Sequence, residues 1–457
     1  MIKKEVKKNL IKAIGKNKVF DEKEYLITYS YDATRVEYLP DLIVFPENER
    51  DIERILKIAY KYKIPVTPRG AGVGYSGGAL PYNKGIVIVF TKMNRILNID
   101  TKNFIAEVEP GVVTYELQNE CEKRGLFYPP DPASLKTSTI GGNVSENSGG
   151  PRCFKYGVTS NYVLELECFL VNGDKIKVGS NVIKDVAGYN LKSLIVGSEG
   201  TLAVISKIIL RLITLPELRI LFRVDFKSLS AGAEFINKVI NSKIYPSVLE
   251  FMDRSSILAS SKYMQVSFNN NINASIVIEV DGNEIEVKER KNRSIEVLKD
   301  CEILNYELAE TEEEQEELWK IRRNISPAIS SLSPKKINED IVVPVSKIPE
   351  TVEFINNLAK EFKILIILFG HFGDGNIHTN LMVDPDNPEE MRKSEIVLDK
   401  IFRYVISRKG SISGEHGVGI SKKHFMKYQF SNREIELFKQ VKRVFDPENL
   451  LNPGKIF

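Results

Sequence analysis

Cysteine, histidine and tryptophan are scarce in this chain of 457 residues, and neither sign of charge prevails. The four cysteines, Cys121, Cys153, Cys168 and Cys301, are scattered with no C-x-x-C pair. That argues against a disulfide framework and against a cysteine-ligated iron–sulfur cluster within the chain. A net formal charge of +3 leaves no electrostatic footprint for nucleic acid. No run approaches the ~18 uninterrupted apolar residues of a membrane span. The Lys-rich start, Met1 to Phe20, lacks the apolar core and small-residue cleavage site of a secretory signal, so a reducing cytoplasm is expected. With 42% hydrophobic residues, the remainder describes a globular protein of two or three domains with real cores.

The scarce histidines are not spread evenly. His371, His378, His416 and His424 are the full set, and none precedes position 371. Chance clustering in a His-poor composition competes with a shared chemical task, and the surrounding residues decide between them.

Apolar periodicity and Gly/Pro punctuation divide the chain into three parts. Residues 1–217 alternate short strands (Asp41 to Phe45, Gly85 to Phe90, Ile105 to Val108, Thr201 to Leu212) with helices (Glu49 to Tyr62, Val113 to Lys123). Glycine concentrates there in three loops, Gly70 to Gly78, Gly141 to Gly150 and Gly197 to Gly200, which suggests one large ligand. At the start, Ile2, Val6, Leu10 and Ile14 mark the buried side of a short helix. Lys3, Lys4, Lys7, Lys8 and Lys12 mark its solvated face. The acidic run Glu312 to Glu317 is likewise a solvated helix face. Residues 218–409 read as β-α-β-β-α-β, a ferredoxin-like order that partly recurs after a helix around Glu312 to Ser331. Two related halves sharing one antiparallel sheet are expected, an α+β class. Residues 410–457 form a closing segment ending in Asn452-Pro453-Gly454-Lys455.

Pro68-Arg69-Gly70-Ala71-Gly72-Val73-Gly74-Tyr75-Ser76-Gly77-Gly78 contains a literal G-x-G-x-x-G after a short strand. A dinucleotide helix would have to begin at its third glycine, but the chain runs into Ala79-Leu80-Pro81 and another strand. What remains is a stretch able to adopt positive φ, whose N–H groups converge into an anion nest beside Arg69. A second loop, Pro129-Pro130-Asp131-Pro132, leads to Thr137-Ser138-Thr139-Ile140-Gly141-Gly142-Asn143, whose small residues admit a flat ring. Asn147-Ser148-Gly149-Gly150, Tyr156-Gly157 and Val196-Gly197-Ser198-Glu199-Gly200-Thr201 repeat that chemistry.

Among the histidines, Asp374-Gly375 sits between two apolar runs, the signal for a two-residue type I′ hairpin. Counting back from that turn sets His371 directly opposite His378. Cβ atoms about 4.5–5.5 Å apart would let both imidazoles reach one ion at about 2.0–2.1 Å. Asn380 shares that face. Gly414-Glu415-His416-Gly417-Val418-Gly419 supplies a carboxylate and a third imidazole on a glycine-relieved loop. Glu415 would complete a His, His, Glu set with open positions for substrate, leaving His416 free as a base. The competing reading is an ordinary cross-strand pair and a surface turn. His424 lies outside these motifs and reads as a surface histidine.

The Arg-Gly-Ala-Gly-x-Gly-x-Ser-Gly-Gly loop, the Ile-Gly-Gly-Asn-Val-x-Glu-Asn-x-Gly-Gly segment and Val-Gly-Ser-Glu-Gly-Thr-Leu resemble the flavin domain of the vanillyl-alcohol oxidase/para-cresol methylhydroxylase (PCMH) superfamily. His-x-Gly-Asp-Gly-Asn-x-His-x-Asn and Gly-Glu-His-Gly-x-Gly, with the closing Leu-Asn-Pro-Gly-Lys-Ile, are similar to its D-2-hydroxy acid dehydrogenase branch. The resemblance implies a PCMH-type FAD-binding domain and a cap domain with the antiparallel sheet. It implies FAD held without a covalent link by Pro68, Arg69, Gly70, Ala71, Gly72, Gly74, Tyr75, Ser76, Gly77, Pro110, Gly111, Pro130, Asp131, Pro132, Ser138, Gly141, Gly142, Asn143, Ser148, Gly149, Gly150, Tyr156, Gly157, Glu199, Gly200 and Ile205. It also implies a divalent metal on His371, His378 and Glu415, zinc first with manganese or iron as alternatives. The base would be His416, and Arg322, Asn380 and Ser326 would contact substrate.

The expected reaction is oxidation of a small D-2-hydroxy acid, D-lactate before glycolate. Asn338 stands where hydroxyglutarate enzymes tend to carry a lysine, although Lys335 and Lys336 are near. Electrons would leave to an electron-transferring flavoprotein, an iron–sulfur subunit or a quinone-linked acceptor, with direct oxidation by O2 as an alternative, and through such a partner the protein could sit at a membrane. The rival readings are an electron-relay flavoprotein without catalysis, D-2-hydroxyglutarate dehydrogenase, and oxidation of a phenolic alcohol.

Overall fold

The computed structural model of the chain describes residues 4–457. Its backbone divides into two compact units. One comprises the stretch ending at Gly149, Val158–Leu215 and Glu415–Phe457, and the other Gly150–Gly157 and Pro216–Gly414.

In the first unit a four-stranded sheet carries, in spatial order, Val19–Phe20, Leu42–Val44, Ile86–Val89 and Val66–Arg69. Ile86–Val89 pairs in parallel on both sides, and all four of its side chains are buried. A β-branched apolar run suits a strand covered on both faces. The helix Glu49–Lys61 begins where Asn48 accepts the Asp51 N–H at 3.1 Å, and it turns Ile52, Ile55, Leu56 and Ala59 into the core. The helix Lys4–Ile14 adds Val6, Leu10 and Ile14 to the same core while Lys4, Lys8 and Lys12 stay exposed. Ile2 and Lys3 of that expected helix lie outside the described residues. A second, antiparallel sheet orders Ile96–Asp100, Ile105–Val108, Val204–Arg211, Val163–Phe169 and Lys175–Gly179.

The glycine segment expected to be a loop is partly the helix Ile140–Glu146, started by Thr139, whose Oγ1 accepts the Gly142 N–H at 3.3 Å. Gly141 is there for packing: a Cβ would stand 2.6 Å from the Pro110 side chain and 2.8 Å from its carbonyl.

The second unit is built on one antiparallel sheet of seven strands. Their order is Asn305–Ala309, Leu218–Phe226, Ala274–Gly282, Val248–Asp253, Leu365–His371, Asn376–Val383 and Lys335–Val342. The first four, with helices Leu229–Asn241 and Glu284–Lys299, have the ferredoxin-like arrangement, and the halves join where Val248–Asp253 pairs with Leu365–His371. The α+β class and the shared antiparallel sheet are therefore as expected.

Three local expectations differ. The helix Arg254–Met264, capped by Asp253, follows a strand without a break that composition could mark. The helix expected through Ser331 stops at Arg323 and restarts as Ile325–Ile329. Pro327 has no N–H for the Arg323 carbonyl, so the first helix cannot run on. The last strand begins at Lys335 rather than Asp340, because it pairs with the full length of Asn376–Val383. No helix among the described residues is long and apolar enough to cross a membrane.

Candidate active site

In the first unit, Val66–Arg69 ends at the glycine loop, and the loop forms one wall of a cleft with about 1240 Å³ of open space. Of the residues expected to hold a cofactor, Pro68, Arg69, Gly70, Ala71, Gly72, Gly74 and Tyr75 line it. So do Pro110, Pro132, Ser138, Gly141, Gly142, Asn143, Ser148, Glu199, Gly200 and Ile205. Gly72 has φ +71, and a Cβ there would press into the Arg69 guanidinium, 3.0 Å from its Nε. Arg69 is buried over the Tyr29 ring. Among the described residues neither its Nε nor the Ser76 Oγ, both buried, has a hydrogen-bond partner. Donors left over beside a glycine-lined cradle suit an anionic diphosphate.

Glu415 and His416 line the same cleft. The His416 ring lies 5.3 Å from the Tyr75 ring, and its Nε2 lies 3.6 Å from the Glu415 carboxylate. Glu146, which sequence reasoning passed over, is a further wall.

Ser76, Gly77, Gly111, Pro130, Asp131, Gly149 and Gly150 are not on the wall. At Gly111 a Cβ would stand 2.6 Å from the Met93 carbonyl oxygen, so the glycine serves backbone packing. Tyr156 and Gly157 belong to the second unit, where the Tyr156 hydroxyl donates to Asp281 at 2.6 Å.

The histidine hairpin of the second unit differs in register from the sequence expectation. Phe369 pairs with His378 and Ile367 with Asn380, so four residues, Phe372 to Gly375, make the turn. The reason is packing. Phe372 is buried in a stack on Phe251, with centroids 4.1 Å apart, and the Gly373 N–H donates to the Leu249 carbonyl. The loop is thereby drawn onto the neighbouring strand instead of closing at Asp374-Gly375. A slip of two residues preserves the face, so His371 and His378 still share a side as diagonal neighbours. Their Nε2 atoms are 3.4 Å apart. Two nitrogens about 2.0–2.1 Å from one ion, at a tetrahedral angle, stand about 3.3–3.4 Å apart.

His371 lies opposite Glu250 in the ladder, and its Nδ1 bonds the Glu250 carboxylate. Arg322, on the helix Glu312–Arg323, gives its Nε to the other oxygen of Glu250 at 2.5 Å and lies over the Phe369 ring. Glu250 is completely buried. Burial alone would raise its pKa, but the Arg322 charge and then His371 hold it at about 2. As a carboxylate it can only accept, which sets the proton of His371 on Nδ1 and turns the Nε2 lone pair toward His378.

On the other side, Asp340 is the ladder partner of His378, and it accepts the N–H of Gly414 at 2.9 Å. The next residue in the chain is Glu415. Asn380 accepts from Asn338 at 2.8 Å, and Ser326 accepts from the Lys336 ammonium at 3.1 Å.

Residues 40–179 match the family described as FAD binding domain, and 215–456 match FAD linked oxidases, C-terminal domain. The chain belongs to the FAD-linked oxidase family. It is 41% identical to the glycolate oxidase subunit GlcD of Bacillus subtilis, across 100% of this chain and 97% of that protein. It is 32% identical to the D-lactate dehydrogenase of Anaerostipes hadrus, across 91% and 89%. Among solved structures it shares the fold of p-cresol methylhydroxylase, with a TM-score of 0.83 at 16% identity over 99% of this chain and 96% of that one. It is thus a flavoprotein oxidoreductase with a PCMH-type FAD-binding fold.

In this FAD-linked oxidase the cradle was legible from its glycines, whereas Glu250 was missed. The signal was present: one acid in the middle of Val248-Leu249-Glu250-Phe251-Met252, a strand whose every residue is buried. A carboxylate kept there needs a partner.

Proposed function

We propose that the protein oxidises a small D-2-hydroxy acid to the 2-oxo acid, D-lactate before glycolate, with non-covalently held FAD taking the electrons. The 3.4 Å spacing of the His371 and His378 Nε2 atoms carries the reading, because two buried imidazoles so placed suit a divalent cation. Relatives named for glycolate and D-lactate support the substrate class. FAD bound in the cleft supplies the hydride acceptor, and a divalent ion, zinc by preference, supplies Lewis acidity.

The chain's own residues do the rest. His371, His378 and Glu415 hold the ion, with Glu250 fixing the tautomer of His371. Arg322 binds the substrate carboxylate through its terminal nitrogens, since Nε is committed to Glu250. Asn380 and Ser326 orient the acid, and His416 takes the hydroxyl proton. Asn338 in place of a lysine favours a small acid. The second reading, D-2-hydroxyglutarate, draws support from Lys336, which shares a strand face with Asn338 and Asp340 and donates to Ser326. With no cysteine cluster in the chain, electrons pass to an electron-transferring flavoprotein or an iron–sulfur partner. The setting proposed is the cytoplasm, with membrane association only through that partner.

The test is dye-linked turnover of purified, FAD-loaded protein on D-lactate, L-lactate, glycolate and D-2-hydroxyglutarate, with metal content measured alongside. Turnover of a D-acid that tracks bound divalent metal supports the proposal. Equal turnover in metal-free protein would remove the roles given to His371, His378 and Glu415.

A further inference from the structure

The loop after His416 is fastened at two places to the cradle unit. The carboxylate of Glu199 accepts the N–H of Val418 through one oxygen and that of Gly419 through the other, each at 2.7 Å. The carbonyl of Ser76, inside the cradle loop, accepts Ile420 N–H at 2.8 Å. Gly417 has φ +80, and a Cβ on it would stand 2.5 Å from a Glu146 oxygen and 2.9 Å from a Glu199 oxygen, so the loop lies directly against both carboxylates.

Glu199 is itself held rigidly. It has φ +53, its N–H donates to Ser145 at 2.8 Å, and its carbonyl accepts from Asn452 at 2.7 Å. The same Asn452 amide donates to the Gly78 carbonyl at 2.8 Å. The C-terminal Asn-Pro-Gly-Lys motif is thus a strut tying Gly78 of the cradle to Glu199, and through Glu199 to the loop of His416.

We propose that Glu199 is the positioning residue for His416: its two-oxygen clasp on Val418 and Gly419 sets where the base stands relative to the cradle. The inference rests on the reading of His416 as the base. Two N–H donors need two acceptors, and a glutamine can offer only one while turning an NH2 against the other donor. A displacement of about 1 Å at a base costs on the order of a hundredfold in rate.

The experiment compares wild type, Glu199→Gln, Glu199→Asp, His416→Asn and the double variant Glu199→Gln/His416→Asn as FAD-loaded full-length protein. Anaerobic flavin reduction by the preferred hydroxy acid is read together with hydrogen–deuterium exchange of the 415–421 peptide. With the rate taken per bound FAD, because Glu199 also lines the cofactor cleft, Glu199→Gln is expected to reduce its flavin about a hundredfold more slowly, with substrate affinity moved less than about threefold. Faster exchange at Val418 and Gly419 is expected as well. Glu199→Asp recovers part of the rate, and the double variant is no slower than His416→Asn alone.

Wild-type rate and exchange in Glu199→Gln would overturn the proposal, and so would losses that multiply in the double variant. If His416→Asn reduces flavin at the wild-type rate, the base assignment fails, and the exchange arm still decides whether Glu199 holds the loop. Should Glu199→Gln not retain FAD, Glu199→Asp, which keeps both oxygens but shortens their reach, carries the test: slower reduction with faster exchange at Val418 and Gly419 supports the clasp, and wild-type values of both overturn it.

Discussion

Glu250 and His371 are ladder partners across two antiparallel strands, and the buried carboxylate of one holds the ring of the other by its Nδ1. The pair joins Arg322 to the histidine site through a single acid, since both bond the same carboxylate. One residue therefore orders a prospective metal ligand and a prospective substrate-binding cation together.

Replacing Glu250 by glutamine should show this dual role. The change leaves Arg322 buried without its counter-charge and leaves one acceptor oxygen for two donors, the Nε–H of Arg322 and the Nδ1–H of His371, so the tautomer of His371 is no longer fixed. A stability loss of about 3–5 kcal/mol is expected from breaking a buried pair, with metal affinity reduced roughly 10–100-fold. Denaturant unfolding and metal titration of the purified variant check both figures.

The cradle makes a separate prediction. Valine at Gly72 needs φ +71, which a β-branched residue resists, and its side chain would overlap the Arg69 guanidinium. Gly72→Val should lose most of its FAD, read as the flavin-to-protein absorbance ratio, while far-ultraviolet circular dichroism stays near wild type.

A third concerns pH. Lys455 is buried, donates to the Leu80 and Asn452 oxygens, and has its pKa lowered from 10.5 to about 8 by burial, against the pull of Glu199. Between about pH 8 and 10.5 the unfolded chain binds more protons at this site than the folded one, so stability rises with pH across that window. The gain is about 3 kcal/mol. Unfolding free energies of wild type relative to Lys455→Met, measured at several pH values, should show that rise and level off above pH 10.5. A flat difference would contradict it.

Much of this was readable before the structure because each legible feature is a local constraint. Positive-φ glycines around Arg69 announce a cradle, and period-2 and period-3.6 apolar patterns announce the strands and helices of both units. The illegible parts are those decided by distant partners. The hairpin of His371 and His378 turned at four residues rather than two because Phe372 found Phe251, more than a hundred positions away. The shared face survived only because the slip was even. An acid inside the apolar run at Glu250 signals that a partner is needed, but Arg322 and His371 lie 72 and 121 positions away, so the local pattern does not say which. Gly141 was read as loop when Pro110 is what excludes a side chain there.

The most direct test of the central claim is anaerobic flavin absorbance of the FAD-loaded protein on adding each hydroxy acid, before and after chelator treatment. Rapid bleaching by a D-acid, lost with chelator and restored by a divalent metal, is the expected result. Absence of bleaching by any hydroxy acid in metal-replete, FAD-loaded protein would contradict the roles given to His416, Arg322 and the two histidines of the hairpin.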